Sequence, residues 1–427
     1  YIVEGIRLTG RFAYTYGTTH SDVFVSPKSS QFEDQQDDKD KGSYDYSSSS
    51  THSMDGNIVV NAWKSIDKHM FTLVLGANMQ DNKEDNKSFS ATGFLSDKLT
   101  NLDFAMQYRE GAKPRGSVSQ DRLIGFFANA SYAYDNRYLF DFSYRTDGSS
   151  KFGKKNRFAP FWSAGIGWNF HKEHFMEQAE WLKQFKLRAS TGYTGAQNFN
   201  PYQALAMFSY NQTQAYDNWI GSHLMALPND DLKWQKTQDY NIGFDLNLWG
   251  RLMIVYDYYV QQTKDQLLAL TVPPSMGFTS YMENIGSTEN KGMELKLNAH
   301  LLYDVENDRY LSTSFSIAKN TNKLKKISNA LRSYNDEVDN EILDGNTNRP
   351  QTRFIEGSSM NAIWAVRSLG IDPATGDEIF LTKDGETTTE WKAEDQVVCG
   401  DAMPECSGTF GINMDYRGIF LNMSFYY

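Results

Sequence analysis

Two histidines three residues apart are the side chains in this sequence whose type and spacing come nearest to metal chemistry. His171 and His174 lie in HKEHFME together with Glu173 and Glu177, and an i, i+3 histidine pair can supply metal ligands. The surrounding stretch, HKEHFMEQAEWLKQF at 171–185, has the clearest helical period in the chain and follows a predicted strand. We therefore interpret it as a structural linker helix and assign no metal ligand.

Other chemical motifs are equally weak. The run FEDQQDDKDKGSYDYSSSS at 32–50 groups four aspartates, but it lacks the spacing of a calcium loop and is typical of a solvated, mobile segment. Gly165 and Gly167 form a lone GxG without the strand-to-helix context that cradles a phosphate, so we read them as small residues that allow neighbouring backbones to approach. Since no nucleophile elbow or zinc motif is present, we predict no catalytic residue, no cofactor and no enzymatic activity.

The two cysteines of the chain leave a choice open. Cys399 and Cys406 bracket GDAMPE within a long polar stretch. In an oxidising compartment they could close a small loop disulfide, but spacing alone does not give the geometry that a disulfide needs. A bridge and two free thiols both remain possible at this point.

The best binding candidate is the polar, aromatic stretch at 199–234. Sugars present apolar C–H faces and a rim of hydroxyls, so stacking rings flanked by amides and carboxylates suit them. The alternative is that these rings pack the segment onto itself or onto a partner. The candidate substrate-contact residues are Tyr210, Tyr216, Asp217, Asn218 and Trp219.

The elements that would position such a site are strands. In LFDFSYR at 139–145, apolar and polar residues alternate, as they do in a strand with one apolar and one wet face. The same alternation predicts about thirteen strands, most of them near the length of roughly 9–11 residues that crosses a membrane. The predicted strands lie at 6–16, 55–64, 69–79, 121–134, 139–145, 159–170, 184–193, 240–248, 251–262, 293–299, 309–320, 410–416 and 419–427.

The connections between these strands favour a membrane barrel over a soluble sandwich. Tight turns are predicted at 65–68, 135–137, 249–250, 304–308 and 417–418. Long polar stretches at 17–54, 80–120, 194–234, 263–289 and 321–408 alternate with them, which is the loop asymmetry of transmembrane barrels.

The alternation also predicts the face of each side chain. Phe140, Phe142, Tyr144, Ile242, Phe244, Leu246, Leu295 and Leu297 should face lipid, and Asp141, Arg145, Asp245, Glu294 and Lys296 should face inward.

Composition is consistent with this interpretation. The 427 residues include 25 Tyr and 27 Phe, and the formal net charge is −11, which argues against a nucleic-acid partner. The mean hydropathy of −0.59 does not oppose a barrel, because alternation averages a polar wall with an apolar one. The chain opens and closes within strand-like segments, so we expect it to be an internal piece of a longer protein.

Six blocks carry a more specific resemblance. They are SYRTDGSSKFGKKNRFAPFWSAGIGWNF, LKLRASTGYTGAQN, NDDLKWQKTQDYNIGFDLNLWGRL, DYYVQQTKDQLL, ENIGSTENKGMELKLNAHLL and EGSSMNAIWAVRSLGIDPATGDEIF. In this order they resemble the SusC-like (SusC/RagA) TonB-dependent transporters of Gram-negative outer membranes, over most of the chain from about 121 onward.

The resemblance implies an all-β fold, with 1–427 as part of a 22-stranded transmembrane barrel that has short periplasmic turns and long extracellular loops. It implies import of oligosaccharides or peptides across the outer membrane, with a SusD-like lipoprotein over the mouth and energy from the TonB complex. The plug domain, the TonB box and the C-terminal strands are expected outside this chain. A passive outer-membrane porin is the alternative function; a surface enzyme and a soluble adhesin rank below it.

Overall fold

A computed structural model describes residues 4–109, 113–197, 201–202, 205, 207–216, 219–226, 232–271, 280–284, 286–304, 307, 309–343 and 352–427. Thirteen long strands dominate these residues, and each corresponds to one predicted strand. They are β1 (Ile6–Val25), β2 (Ser43–Ile66), β3 (His69–Thr92), β5 (Arg115–Tyr134), β6 (Tyr138–Ser149), β7 (Phe158–Asn169), β8 (Leu182–Ala196), β11 (Gln235–Leu248), β12 (Leu252–Lys264), β15 (Gly286–Asp304), β16 (Arg309–Ile327), β22 (Cys406–Tyr416) and β23 (Ile419–Tyr426).

Shorter elements occupy the connections. They are β4 (Gln107–Tyr108), β9 (Met207–Tyr216), β10 (Trp219–Ala226), β13 (Leu267–Thr271), β14 (Ser280–Asn284), α1 (Asn329–Leu343), β17 (Ala362–Ala365), β18 (Arg367–Ile371), β19 (Glu378–Leu381), β20 (Thr387–Thr388) and β21 (Val397–Asp401). In the described part of the chain, the thirteen long strands and β4 form one 14-stranded sheet in which the long strands follow chain order. None of the described helices is long and apolar enough to cross a membrane.

The chain divides into two compact units. The first comprises Tyr1–Asn61, Leu75–Phe127 and Thr146–Lys151. The second comprises Ala62–Val74, Ala128–Arg145 and Phe152–Tyr427. The second unit contains the features that matter most for function: the tight turns, the hairpins in the long connections and α1.

Register in the second unit defines an apolar sheet face, because directly opposed residues point to the same side. Phe244 lies opposite Leu187 and Tyr256, and Tyr256 lies opposite Leu295. Leu295 in turn lies opposite Ile317. Five strands thus contribute apolar side chains to one face, and the predicted lipid-facing residues of β11 and β15 share it.

These apolar side chains are exposed on the chain itself. Ile242 is 65% exposed, and Phe140, Phe142 and Tyr144 of β6 are each more than 40% exposed. A soluble protein does not present so broad an apolar surface to water. The face requires an apolar environment, as lipid provides.

The buried apolar clusters lie in the connections and in the strand residues next to them. Phe152, Leu232 and Trp234, from the connections, pack together with Ala159 and Phe161 near the start of β7. Two smaller clusters surround α1, one around Leu324 and Leu331 and one around Val338, Ile342 and Ala393. The described long connections are therefore packed structure rather than loose chain.

The predicted tight turns are confirmed where the structure describes them. Asp135 and Asn136 have φ of 51° and 52°, Trp249 and Gly250 have 54° and 68°, and Arg417 and Gly418 have 51° and 87°. Consecutive residues of positive φ match the right-handed twist of a hairpin. Part of the turn predicted at 304–308 lies outside the described residues.

The long polar stretches contain more structure than predicted. β1 continues to Val25, and β2 already begins at Ser43, although 17–54 was predicted as a connection. Outside lipid a strand needs only backbone pairing, so both faces can be polar and the alternation signal disappears. The described parts of 194–234, 263–289 and 321–408 likewise contain hairpins, small sheets and α1.

The helix predicted at 171–185 is wrong. This segment forms two single-turn 3-10 helices, Phe170–Lys172 and His174–Met176, and then enters β8 at Leu182. Phe175 is 68% exposed, so the apolar residues that suggested a helix do not share a buried stripe. The described α-helix is α1, in the connection between β16 and β22.

Candidate functional site

The polar face of the second unit carries paired charges. The Nη2 atom of Arg188 lies 3.1 Å from Oδ1 of Asp245 and 3.0 Å from Oδ2 of Asp257. Asp257 lies opposite Glu294, and Asp245 lies opposite Lys186. The predicted inward-facing residues of β11 and β15 therefore belong to one face that is opposite the apolar one.

Gly243 creates the space for this ion pair. It lies between Arg188 on β8 and Asp257 on β12 in the cross-strand register. A Cβ atom at this position would approach Oδ1 of Asp257 to 2.5 Å. The absence of a side chain lets the guanidinium group reach across β11, which spreads one positive charge over two carboxylates from different strands.

The residues of β15 show where the apolar band ends on the side of the long connections. On β15 the outward face is apolar from Met293 onward, but Lys291 and Glu289 occupy the preceding positions of that face. The carboxylate of Glu289 forms ion pairs with Lys291 and with Lys325, each at 3.2 Å. Charges of this density do not face hydrocarbon, so β15 and β16 continue beyond the lipid toward the long connections.

A cavity of about 530 Å³, lined mostly by residues of polar type, lies in this region beside β16. Asn290 and Asn322 are opposed on the polar face, and Gly292 lies opposite Asn320 on the same face. The opposite wall comes from the connection between β16 and β22. The lining residues are Asn290, Lys319, Asn320, Thr321, Asn322, Asn361, Asp401, Met403, Pro404 and Glu405.

The strand lengths explain why a cavity forms here. β22 begins at Cys406, opposite Lys319, whereas β16 continues to Ile327 and stays paired with β15 throughout. Further along, the backbone of Leu324 bonds to Ser358 and Gly357, at 2.8 and 2.7 Å. Between these two pairings, one edge of β16 faces the cavity.

Hydrogen bonds hold both walls of the cavity. The side-chain amide of Asn322 donates to Oδ1 of Asn290 at 2.8 Å, and its own Oδ1 accepts from the backbone of Met360 at 3.1 Å. On the other wall, Oδ1 of Asp401 accepts from the backbone of Met403 at 2.9 Å. A hydrogen bond from Ser359 and this backbone bond hold the pKa of Asp401 below its ordinary value. Hydrogen bonds thus fix both walls of the cavity, and one wall carries the charged carboxylate of Asp401.

The opposite end of the strands has a different kind of cluster. The buried carboxylate of Glu173 accepts hydrogen bonds from Tyr138 at 2.8 Å, from Trp168 at 2.9 Å and from Arg137 at 3.1 Å. The Trp168 bond first, and then those from Tyr138 and Arg137, hold the pKa of Glu173 below its ordinary value. This cluster joins the β5–β6 turn to the segment between β7 and β8. Because all three donors converge on the one carboxylate of Glu173 and come from the two segments that it joins, we assign the cluster a structural role.

Of the predicted substrate-contact residues, the described ones lie on the β9–β10 hairpin. Tyr210 is 69% exposed on β9. Tyr216 and Trp219 are opposed at the tip of the hairpin. Asp217 and Asn218 lie outside the described residues. The hairpin brings the two ring-bearing positions together, and substrate contact by this set stays a prediction.

The other sequence candidates have structural environments. The ring of His171 bonds to the backbone of Phe185, and His174 bonds to Glu177. Cys399 and Cys406 are free and exposed. Asp37 caps the 3-10 turn Asp38–Asp40 in the acidic run. Among the described residues, no group of three or more metal-ligating side chains is present.

Sequence reasoning missed the cavity. Its amides come from positions 290, 320, 322 and 361, which only the strand register and the folded connection bring together. A signal does exist in KNTNK at 319–323, where two asparagines alternate on a strand that continues past its apolar band. By itself that pattern is also typical of a solvent-exposed strand.

The geometry defines a class of protein: an antiparallel sheet with one lipid-compatible face, one charged face, tight turns at one end and packed connections at the other. The model of the family "TonB dependent receptor-like, beta-barrel" matches residues 4–364. The chain belongs to this family. It is accordingly part of a transmembrane β-barrel of the bacterial outer membrane, and its apolar face lies against lipid.

Named relatives agree with this assignment. The chain is 28% identical over 382 residues to TonB-dependent receptor P3 of Formosa agariphila, covering 85% of this chain and 37% of the relative. It is 30% identical over 346 residues to TonB-dependent receptor SusC of Bacteroides thetaiotaomicron, covering 78% and 33%. The chain thus spans about a third of the length of these curated relatives.

A solved structure shows the same fold. The structure of the RagAB peptide transporter matches with a TM-score of 0.85 and 23% identity, covering 99% of this chain and 46% of that chain. The predicted resemblance to SusC/RagA transporters is confirmed at the level of family and fold.

Proposed function

We propose that this chain is the barrel portion of an outer-membrane importer for an oligomeric nutrient, an oligosaccharide or a peptide. The observation that carries the proposal is the family match over residues 4–364. The matched RagAB peptide transporter supports, by its name, a peptide as one cargo class, and the relative SusC is by its name a TonB-dependent receptor.

The two faces of the sheet support the same function. A wall that is apolar toward lipid and carries paired charges such as Arg188 with Asp245 and Asp257 suits a passage for hydrophilic cargo. The remaining parts of the importer, a plug domain, a TonB box and the last barrel strands, are proposed to lie outside residues 1–427.

The proposed partners act at opposite ends. A SusD-like surface lipoprotein would cover the long connections, and the TonB complex would supply energy through the plug from the other side. Purification of the intact importer from native membranes in mild detergent tests the first partner. We expect a stable complex with such a lipoprotein; an intact importer that is repeatedly isolated alone would argue against it.

Energised import is tested by uptake into cells that express the full-length protein with its partner. Two probes are used in parallel: a labelled neutral oligosaccharide mixture and labelled tryptic casein peptides. Uptake of one class that stops on collapse of the proton gradient is the expected result. Uptake that is unaffected by a protonophore would indicate a passive porin, and uptake of neither class would overturn the proposal.

A further inference from the structure

The cavity beside β16 exposes strand backbone rather than side chains alone. Four consecutive residues, 319–322, line it. Successive side chains of a strand point to opposite faces, so a cavity on one face would contact only every second residue. Contact with all four indicates that the edge of β16 itself borders the cavity.

This edge is unpaired over a short, defined length. Among the described residues, β22 pairs with β16 only as far as Cys406 opposite Lys319, and the backbone bonds of Leu324 to residues 357 and 358 close the far side. A strand edge offers N–H and C=O groups in register for another extended chain. The gap gives room for a few residues of such a chain.

The opposite wall complements an extended peptide. Asn361 on this wall and Asn320 on β16 carry side-chain amides, which both donate and accept hydrogen bonds, as peptide groups require. Met403 and Pro404 add apolar surface for side chains. Among the residues that the structure describes, the lining contains no aromatic ring, although a stacking ring is the feature that would favour a sugar. The volume lies within the roughly 300–1,000 Å³ of small-molecule sites.

We propose that this cavity is a docking site for nutrient peptides, which bind as an added strand along the free edge of β16. This mode obtains affinity from main-chain hydrogen bonds and tolerates different side chains. Such tolerance suits an importer of mixed peptides. The inference rests on the proposed import function and assigns its cargo class and one binding site.

The test uses the full-length importer with its lipoprotein partner, immobilised and exposed in parallel to tryptic casein peptides and to a neutral oligosaccharide mixture. Retained peptides are identified by mass spectrometry, and one is resynthesised with alternate backbone nitrogens methylated. We expect peptides to be retained and N-methylation to weaken binding at least about tenfold, because main-chain donors are lost.

A variant pair locates the site. Asn320→Ala combined with Asn361→Ala should weaken peptide binding roughly tenfold through the loss of two amide partners. Asn298→Ala is the matched control. Asn298 lies on the polar face of the sheet, as Asn320 does, but it is on β15, opposite Ser314 and closer to the tight turns. Its substitution should leave binding unchanged.

Three results would overturn the proposal. Retention of oligosaccharides instead of peptides would leave import intact but assign another cargo. Peptide binding that is insensitive both to N-methylation and to the double variant would place the peptide site elsewhere. Retention of neither probe, together with failure of the uptake assay, would overturn the import function itself.

Discussion

The two ends of the strands in the second unit are built differently, with tight turns at one end and long connections at the other. At the tight-turn end, backbone bonds connect several turns to the neighbouring segment: Asp135 N to Lys68 O at 2.7 Å, Asn169 N to Arg137 O at 2.8 Å and Trp249 N to Trp181 O at 2.7 Å. At the other end, strands stop at different heights, and connections with small cores of their own fill the differences. The tight turns resemble one another, whereas each long connection has a structure of its own.

The comparison teaches where specificity can reside. Tight turns leave little surface with which to distinguish ligands, whereas uneven strand ends create edges and cavities such as the one beside β16. Binding residues are commonly found on connections held by a rigid scaffold. In this chain the tight-turn end and the membrane band are the scaffold, and we propose that the long connections supply recognition.

The largest effect should come from breaking the membrane band between the two ends. Phe244 lies about halfway along the stretch of roughly 9–11 residues that crosses lipid, counted from the turn at Trp249. Phe244→Arg should therefore cost roughly 2–4 kcal/mol of folding free energy, as for a cation near the bilayer midplane. Unfolding of the purified barrel in lipid vesicles with denaturant measures this value.

The control is Asn241→Arg, on the same strand but on the polar face. It should be far milder, because a charged side chain there lies against other polar groups. Equal destabilisation by both substitutions would contradict the assignment of faces, since a register slip by one residue exchanges them.

The next largest effect should come from the tight-turn end. Glu173→Gln removes the charge that Arg137, Tyr138 and Trp168 jointly stabilise. We expect the melting temperature of the barrel, followed by heat-dependent gel mobility, to fall by several degrees. Glu177→Gln in the same segment is the control, because Glu177 is exposed and pairs with exposed His174.

The same cluster predicts a pH dependence with a definite sign. The pKa of Glu173 is lowered in the folded state, so its contribution is fully present above the ordinary carboxyl pKa. It is lost as the pH falls through the depressed folded-state pKa. Wild-type and Glu173→Gln melting temperatures should therefore converge in strong acid. A constant difference at every pH would show that the carboxylate charge does not matter.

A smaller effect is expected at the β9–β10 hairpin. If Trp219 stacks on cargo, Trp219→Ala should weaken binding by about 1–2 kcal/mol, roughly tenfold, and leave barrel assembly intact. Calorimetric binding by the full-length transporter and its partner measures this, with Tyr210→Ala as a second ring variant on the same hairpin. Unchanged affinity in both would show that these rings do not contact cargo.

The sequence predicts the two ends unequally, for a physical reason. Alternation located all thirteen long strands, because lipid on one face and water on the other impose a period of two. Tight turns were found because positive φ selects residues such as Asn136, Gly250 and Gly418. Where strands leave lipid, as at Val25 and Ser43, neither constraint remains and the predicted bounds fall short.

The connections resisted prediction because their order comes from contacts between distant positions. α1 buries Leu331, Val338 and Ile342 at a helical spacing, but its many polar residues obscured the pattern. The segment at 171–185 had the clearer helical pattern and yet folds as single turns around Glu173. The cavity beside β16 needs positions 290 and 401 to line one space, which no local pattern contains.

The central claim is that the long connections face the cell exterior and the tight turns face the periplasm, and two cysteine positions test it directly. Cys399, free and exposed in the β16–β22 connection, should react with a membrane-impermeant maleimide on intact cells that express the full-length protein. A Cys399→Ser, Cys406→Ser variant gives the background. In that background, Asn307→Cys, in the turn between β15 and β16, should react only after the outer membrane is permeabilised. Labelling of Asn307→Cys on intact cells, with Cys399 protected, would contradict the account.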